Sequence, residues 1–159
     1  SLVDTPGFMV GPEVETTAQV RHTSRIFVAA SHLRVPCVSI VLRKAYGLGA
    51  MALTAGGFHS PVLTASWPTG EFGGMGLEGF VRLGYRKELD AQPEGPAREA
   101  LFQRLVRERY EAGGALNMAT TLEIDAVIDP ARTREWLLGA LGAAPGPQEL
   151  PHEPHVDTW

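Results

Sequence analysis

The chain has 159 residues, of which 44% are hydrophobic and 20% charged, and it carries a formal net charge of -4 at pH 7. That length supports one ordinary domain around a single core, and the acidic balance lacks the electrostatic footprint of a nucleic-acid binder. No apolar run reaches the ~20 residues that cross a bilayer, and the first residues, with Asp4 and Pro6, have neither the basic nor the apolar region of a signal peptide, so the reading is a cytoplasmic protein.

Taken in chain order, Ser1 to Asp4 reads as the end of a strand, which Thr5-Pro6-Gly7 breaks into a loop running to Gly11-Pro12. Glu13 to Leu33 reads as one helix, with Glu13 and Glu15 in its first turn and Val14, Ala18, Phe27, Ala30 and Leu33 as core positions. Val35 to Leu42 follows as a buried strand, in which the single Cys37 reads as core filler. A glycine-spaced turn then opens a helix from about Leu48 to Ala55, stopped by Gly56-Gly57, and Pro61 to Trp67 is extended. The glycine-rich stretch Gly70 to Gly79 leads into a short helix at Phe80 to Leu83, and Arg86 to Pro96 reads as a charged loop. Ala97 to Ala112 is plainly amphipathic, with Leu101, Phe102, Leu105, Val106 and Tyr110 on one face. Leu122 to Ile128 resembles a strand, Asp129 and Pro130 form a helix start, and Arg132 to Leu141 continues that helix. The domain is expected to span residues 1–142 and a proline-rich tail residues 143–159.

Chemistry concentrates at Arg43 to Leu53. An apolar strand runs into Gly47-Leu48-Gly49 at the start of a helix, so backbone N–H groups emerge where negative charge on an oxygen can be held; the alternative is a packing turn. Other motifs fail on context. Gly74-Met75-Gly76-Leu77-Glu78-Gly79 matches G-x-G-x-x-G, but no acidic residue ends a second strand roughly 20 residues later. Val3-Asp4-Thr5-Pro6-Gly7 looks like the magnesium-side motif of GTPases, yet there is no P-loop. His152 and His155 lack a third metal ligand, and no G-x-S-x-G elbow nominates a nucleophile. Few side chains are available for acid–base work and several glycine turns for backbone work, so chemistry resting on oriented amides fits the imbalance.

Four motifs then occur in order. Val3-Asp4-Thr5-Pro6-Gly7-Phe8 with Gly11, Arg43-Lys44-Ala45-Tyr46-Gly47, Trp67-Pro68-Thr69 with Met75-Gly76, and Ile124 to Arg134 together resemble the carboxyltransferase subunit of biotin-dependent acyl-CoA carboxylases. The resemblance covers roughly residues 1 to 138 and implies an α/β fold of the crotonase type, a spiral of ββα units. The chain would be the later part of the C-terminal carboxyltransferase domain, truncated at its N-terminal side and inactive alone. The implied reaction moves a carboxyl group from carboxybiotin to the α-carbon of an acyl-CoA, through an enolate and a biotin ureido anion, each stabilised by a backbone oxyanion hole. No side-chain base and no metal are required.

The same resemblance implies the partners: the N-terminal carboxyltransferase domain, a biotin carboxylase, a biotin carrier and further copies of the subunit in a homo-oligomer. It assigns Gly47, Leu48 and Gly49 to the oxyanion hole for the biotin ureido oxygen, with the amides of Leu48 and Gly49 as donors; propionyl-CoA carboxylases have Gly-Gly-Ala at these places, so Leu48 is a departure. Met51 matches a position that tunes acyl-chain length, with core packing as the alternative. Arg43 matches an arginine that reaches substrate, with a surface salt bridge as the alternative, and Tyr46, Phe8 and Gly76 follow motif positions near the cleft. The other readings are a crotonase-fold hydratase, a biotin-linked decarboxylase, and a non-catalytic domain that docks a carrier or partner subunit.

Overall fold

A computed structural model of the chain describes residues 1–146. Its strands are β1 (Leu2–Thr5), β2 (Val38–Tyr46), β3 (Leu63–Ser66), β4 (Glu71–Gly73) and β5 (Ala126–Val127), joined in one parallel sheet of order β1-β2-β3-β5, with β4 also on β2. β2 is the spine. Its first half pairs with β3 through Val38 to Val41, and its last residues pair with β4 through Lys44, Ala45 and Tyr46. The expected α/β class holds.

Side chains alternate across β2, so its two faces enter different cores. Val38 and Ile40 pack with Leu63, Ala65 and Ile128, beneath Trp136 and Leu137 of the last helix, α8 (Thr133–Ala143). Val41 and Ala45 pack on the other face with Val3, Phe72, Ile124 and with Ala50 of α3 (Gly47–Leu53). Burial on both faces explains why β2 reads as a continuous apolar run rather than an alternating one. Each fully buried Val or Ile there contributes about 1.5 to 3 kcal/mol.

A third core lies beside the sheet. The expected apolar face of the long helix, here α6 (Pro96–Ala112), buries Phe102, Leu105 and Val106 against Val81 of α4 (Leu77–Gly84) and Leu89 of α5 (Arg86–Asp90). α5 corrects the expected loop at Arg86 to Pro96, because Leu89 supplies the single apolar anchor that a short charged helix needs. A further helix, α7 (Ala115–Thr120), was not anticipated and buries Ala115.

The single helix expected over Glu13 to Leu33 is two, α1 (Pro12–Glu15) and α2 (Gln19–Ser31). The hydroxyls of Thr16 and Thr17 bond back to the carbonyls of Glu13 and Val14, and Ala18 takes a left-handed φ of +56°. Such local bonds compete with helix propagation. The expected core positions there also fall short: no residue of α2 is buried, Ala18 and Leu33 are exposed, and Val14, Phe27 and Ala30 are half-buried.

Near the end of the chain, the expected strand at Leu122 to Ile128 contracts to β5. Leu122 turns to φ +62° and Asp125 spends its side chain accepting the Thr64 amide at 2.7 Å, while its own amide donates to the Thr64 carbonyl. Asp129 caps as expected, its Oδ1 accepting from Ala131 N at 2.9 Å, and a 3-10 turn at Pro130–Arg132 leads into α8, which runs one residue beyond the expected domain end. His152 and His155 lie outside the described residues.

Candidate active-site cleft

The site grows out of the C-terminal end of β2. Tyr46 is still extended (φ -108°, ψ 132°), Gly47 flips to φ +56°, and α3 begins, so the amides of Gly47, Leu48 and Gly49 fall in the first turn, where a helix supplies no carbonyl for them. The residue types follow from the packing. A Cβ on Gly47 would come 2.7 Å from the Gly74 carbonyl oxygen, and one on Gly49 would come 2.9 Å from the Gly7 Cα. Gly7, itself at φ +98°, lies in the loop after β1, where its amide donates to Thr5 Oγ1 at 3.2 Å. Three chain segments thus meet backbone to backbone at the start of α3.

An open cleft of about 500 Å3 lies over this junction. One side is Tyr46, Gly47 and Leu48 with Gly74 to Gly76; the other is Phe8 to Val10 with Val20 and Phe27 of α2. The cleft therefore gathers Phe8, Tyr46, Gly47, Leu48 and Gly76 from three distant parts of the sequence. Gly49 is buried behind it, against Gly7 and Phe8 N. Leu48 points its side chain outward, 61% exposed, so the departure from glycine at this position leaves the turn itself uncrowded.

Two expected residues stand apart. Met51 lines a second cavity of about 450 Å3 on the other side of α3, with Phe58, Phe72, Phe80 and Met118; Gly47 and Gly74 border both spaces. Arg43 pairs with Asp4, Nη2 to Oδ2 at 3.2 Å, and the Lys44 amide also donates to Asp4 Oδ1 at 3.1 Å. The Lys44 amide first and Arg43 second hold the Asp4 carboxyl below its ordinary value. The two signature motifs that contain these residues are thereby tied together beside the cleft.

Polar side chains flank the turn from below. The Tyr46 hydroxyl donates to Glu71 Oε2 at 2.9 Å, and burial first, then Glu71, raises its pKa far above the ordinary value. Tyr110 donates to Glu78 Oε1 at 2.8 Å; the Glu78 carboxyl is lowered by its own backbone N–H and then by this hydroxyl, which is raised in turn. Among the described residues no group of three or more His, Cys, Asp or Glu is arranged to hold a metal ion. No described helix is long and apolar enough to cross a membrane.

Sequence reading missed Gly7, Gly74 and Glu71 as parts of the site. The Gly74 to Gly79 motif was a usable signal, since it does follow a strand, β4, and open a helix, α4, as a backbone wall of the cleft. Gly7, though inside the first signature motif, and Glu71 gave no signal of their contacts, because only the fold brings Gly7 against Gly49 and Glu71 against Tyr46.

A parallel sheet with a glycine turn and free first-turn amides at the end of a strand is a geometry that can hold negative charge on an oxygen. The comparisons narrow it to a family: residues 1–151 match the model of the carboxyl transferase domain, and the chain belongs to that family. It is 35% identical over 142 residues to a propionyl-CoA carboxylase carboxyltransferase subunit of Haloferax mediterranei, a match covering 89% of this chain and 27% of that subunit. Among solved structures, a single-chain, multi-domain long-chain acyl-CoA carboxylase is 54% identical, with a TM-score of 0.77 over 88% of this chain and 14% of that one. The transcarboxylase 12S hexamer, solved with methylmalonyl-CoA and methylmalonic acid bound, is 32% identical, with a TM-score of 0.83 over 98% of this chain and 30% of that one. The fold is accordingly crotonase-like, and the chain spans less than a third of the length of these relatives.

Proposed function

We propose that the chain forms the biotin-facing half of the carboxyltransferase site of a biotin-dependent acyl-CoA carboxylase. The observation that carries this reading is the cleft over Gly47 and Leu48, backed by Gly49, where the first turn of α3 lies between the Gly7–Phe8 loop and Gly74 to Gly76. A bicyclic ring with a polar ureido edge fits its chemistry: amide donors at one wall, and the apolar side chains of Phe8, Val20 and Phe27 at the other. Carboxybiotin, carried by a partner domain, supplies the carboxyl group when bound there.

This chain's own contribution is backbone electrostatics. The Leu48 and Gly49 amides hold negative charge on the ureido oxygen as the carboxyl group departs, and each such donor is typically worth about 3 to 4 kcal/mol in the transition state. Gly47 turns the backbone so that Leu48 stands at the cleft with Gly49 directly behind it, Phe8 and Gly76 shape its walls, and Tyr46 closes its base. Met51 borders the cavity that takes the acyl group, and Arg43 aligns the two motifs through Asp4. The acyl-CoA, the N-terminal carboxyltransferase domain, the biotin carboxylase and carrier, a homo-oligomer of the full subunit and a cytoplasmic location complete the reading, with the described piece inactive by itself.

Leu48→Pro tests it, because it removes one amide donor without taking an intrahelical hydrogen bond. In the full-length subunit with its carrier, carboxyl transfer to an acyl-CoA, or from a malonyl-type thioester in reverse, should fall about 100- to 1,000-fold while the fold persists by circular dichroism. Transfer at the wild-type rate in this variant contradicts the oxyanion role. A wild-type subunit that hydrates enoyl-CoA and transfers no carboxyl group contradicts the whole reading.

A further inference from the structure

The hydrogen bond between Tyr46 and Glu71 sits at the point where the sheet ends and the turn begins. Tyr46 closes β2 and immediately precedes Gly47; Glu71 opens β4, three residues before the Gly74 carbonyl that leaves Gly47 no room for a side chain. In the parallel register Tyr46 lies beside Gly73 and Lys44 beside Glu71, so the Tyr46 ring leans back along β4 to bring its hydroxyl to Oε2 at 2.9 Å. The ring lies over Gly73, where even a Cβ would meet Tyr46 Cδ1 only in ordinary contact at 3.6 Å. Tyr46 is only 3% exposed, and its hydroxyl stays neutral throughout the working pH range.

The position of this bond matters more than its strength. β2 and β4 together deliver the backbone side of the cleft, Gly47 and Leu48 from the first and Gly74 to Gly76 from the second, and both chains leave the sheet one residue beyond their last register pair, Tyr46 and Gly73. Any slip between the strands moves the Leu48 amide relative to the adjoining Gly74 to Gly76 backbone. Glu71 is held in turn, because it forms an isolated bridge to Gly114 and the neighbouring Phe72 amide donates to the Gly113 carbonyl at 2.8 Å. The tyrosine ring therefore transmits the position of a braced strand to the residue before the turn.

Taking the oxyanion reading of the turn as given, we propose that the Tyr46–Glu71 hydrogen bond is a clamp that sets the Gly47–Gly49 amides in register for carboxyl transfer. Glu71 is a positioning residue acting through Tyr46, and the Tyr46 hydroxyl touches no substrate. A misplacement of about 1 Å can cost about a hundredfold in rate, so the clamp acts on kcat rather than on binding.

The test uses the full-length subunit with its biotin-bearing partner. Tyr46→Phe and Glu71→Ala should lower kcat about ten- to a hundredfold, with KM for the acyl-CoA within about twofold. Glu71→Gln keeps an acceptor and should recover most of the loss. Hydrogen exchange over residues 46–50, read without turnover, should be faster in Tyr46→Phe and Glu71→Ala than in the wild type and Glu71→Gln. Wild-type kcat or wild-type exchange in Tyr46→Phe overturns the clamp; so does a raised KM at unchanged kcat, which would make Tyr46 a substrate contact, and so does equal loss in Glu71→Gln and Glu71→Ala. If the wild type transfers no carboxyl group, the oxyanion reading falls, while the exchange rates still decide whether the clamp exists.

Discussion

One wall of the cleft, at Gly7, Gly47, Gly49 and Gly74, is backbone against backbone, whereas the other, from Phe8 to Val10 and along α2, is side chains that remain largely in solvent. The glycine wall has no slack: Gly47 and Gly49 each sit where a Cβ would approach foreign backbone within 3.0 Å. The α2 wall has no buried residue, and Val10 and Val20 are 86% and 65% exposed. The difference separates two jobs. Rigid close approach fixes where the amides of α3 stand, while an apolar, loosely packed face can adapt to what occupies the cleft.

Substitutions should respect that difference. Gly47→Ala carries the largest expected penalty, because it combines a left-handed φ with a 2.7 Å approach to the Gly74 carbonyl; about 2 to 4 kcal/mol of stability should be lost in a denaturant titration. A loss below about 0.5 kcal/mol would mean the wall is less rigid than its geometry.

Asp4→Asn should have a smaller effect that depends on pH. The folded Asp4 carboxyl titrates below its ordinary value of 3.8, so its contribution is complete above that pH and drains as pH falls through the lower folded value. The carboxylate is one-third exposed and solvent screens it, so the variant should lose less than about 1 kcal/mol at pH 7 and lose the acid limb attributable to this group. A variant whose stability falls as steeply below pH 3.8 as that of the wild type would show that the Asp4 carboxylate, held by the Lys44 amide and then by Arg43, contributes nothing.

Val20→Ser, on the opposite wall, should change stability by no more than about 0.5 kcal/mol. A loss above about 1.5 kcal/mol would erase the distinction between the walls.

What was legible in the sequence follows the same division. β2 and β3 announced themselves because both faces are buried, and α6 because Phe102, Leu105 and Val106 keep helical spacing against a single neighbouring core. β2 nevertheless starts at Val38 rather than Val35, which is exposed, leaves Cys37 half-buried before it and runs on to Tyr46. The Asp129-Pro130 start was legible because capping is local chemistry. The break at Ala18 was hidden, since Val14, Phe27 and Ala30 keep a helix-like pattern that the described residues only half bury. α5 was hidden by its charge, as only Leu89 turns inward. Within the cleft, the Gly47 turn could be read from residue type, but the partners that make it rigid could not. Gly7, Gly74 and Glu71 reach it through strand pairing, and no local pattern encodes a parallel register.

The most direct measurement is a structure of the full-length subunit with biotin bound. The account predicts the ureido oxygen in the cleft between Phe8 and Gly76, about 3 Å from the amide nitrogen of Leu48 or Gly49. Biotin seated elsewhere, with both of those amides facing water or other protein groups, would contradict it.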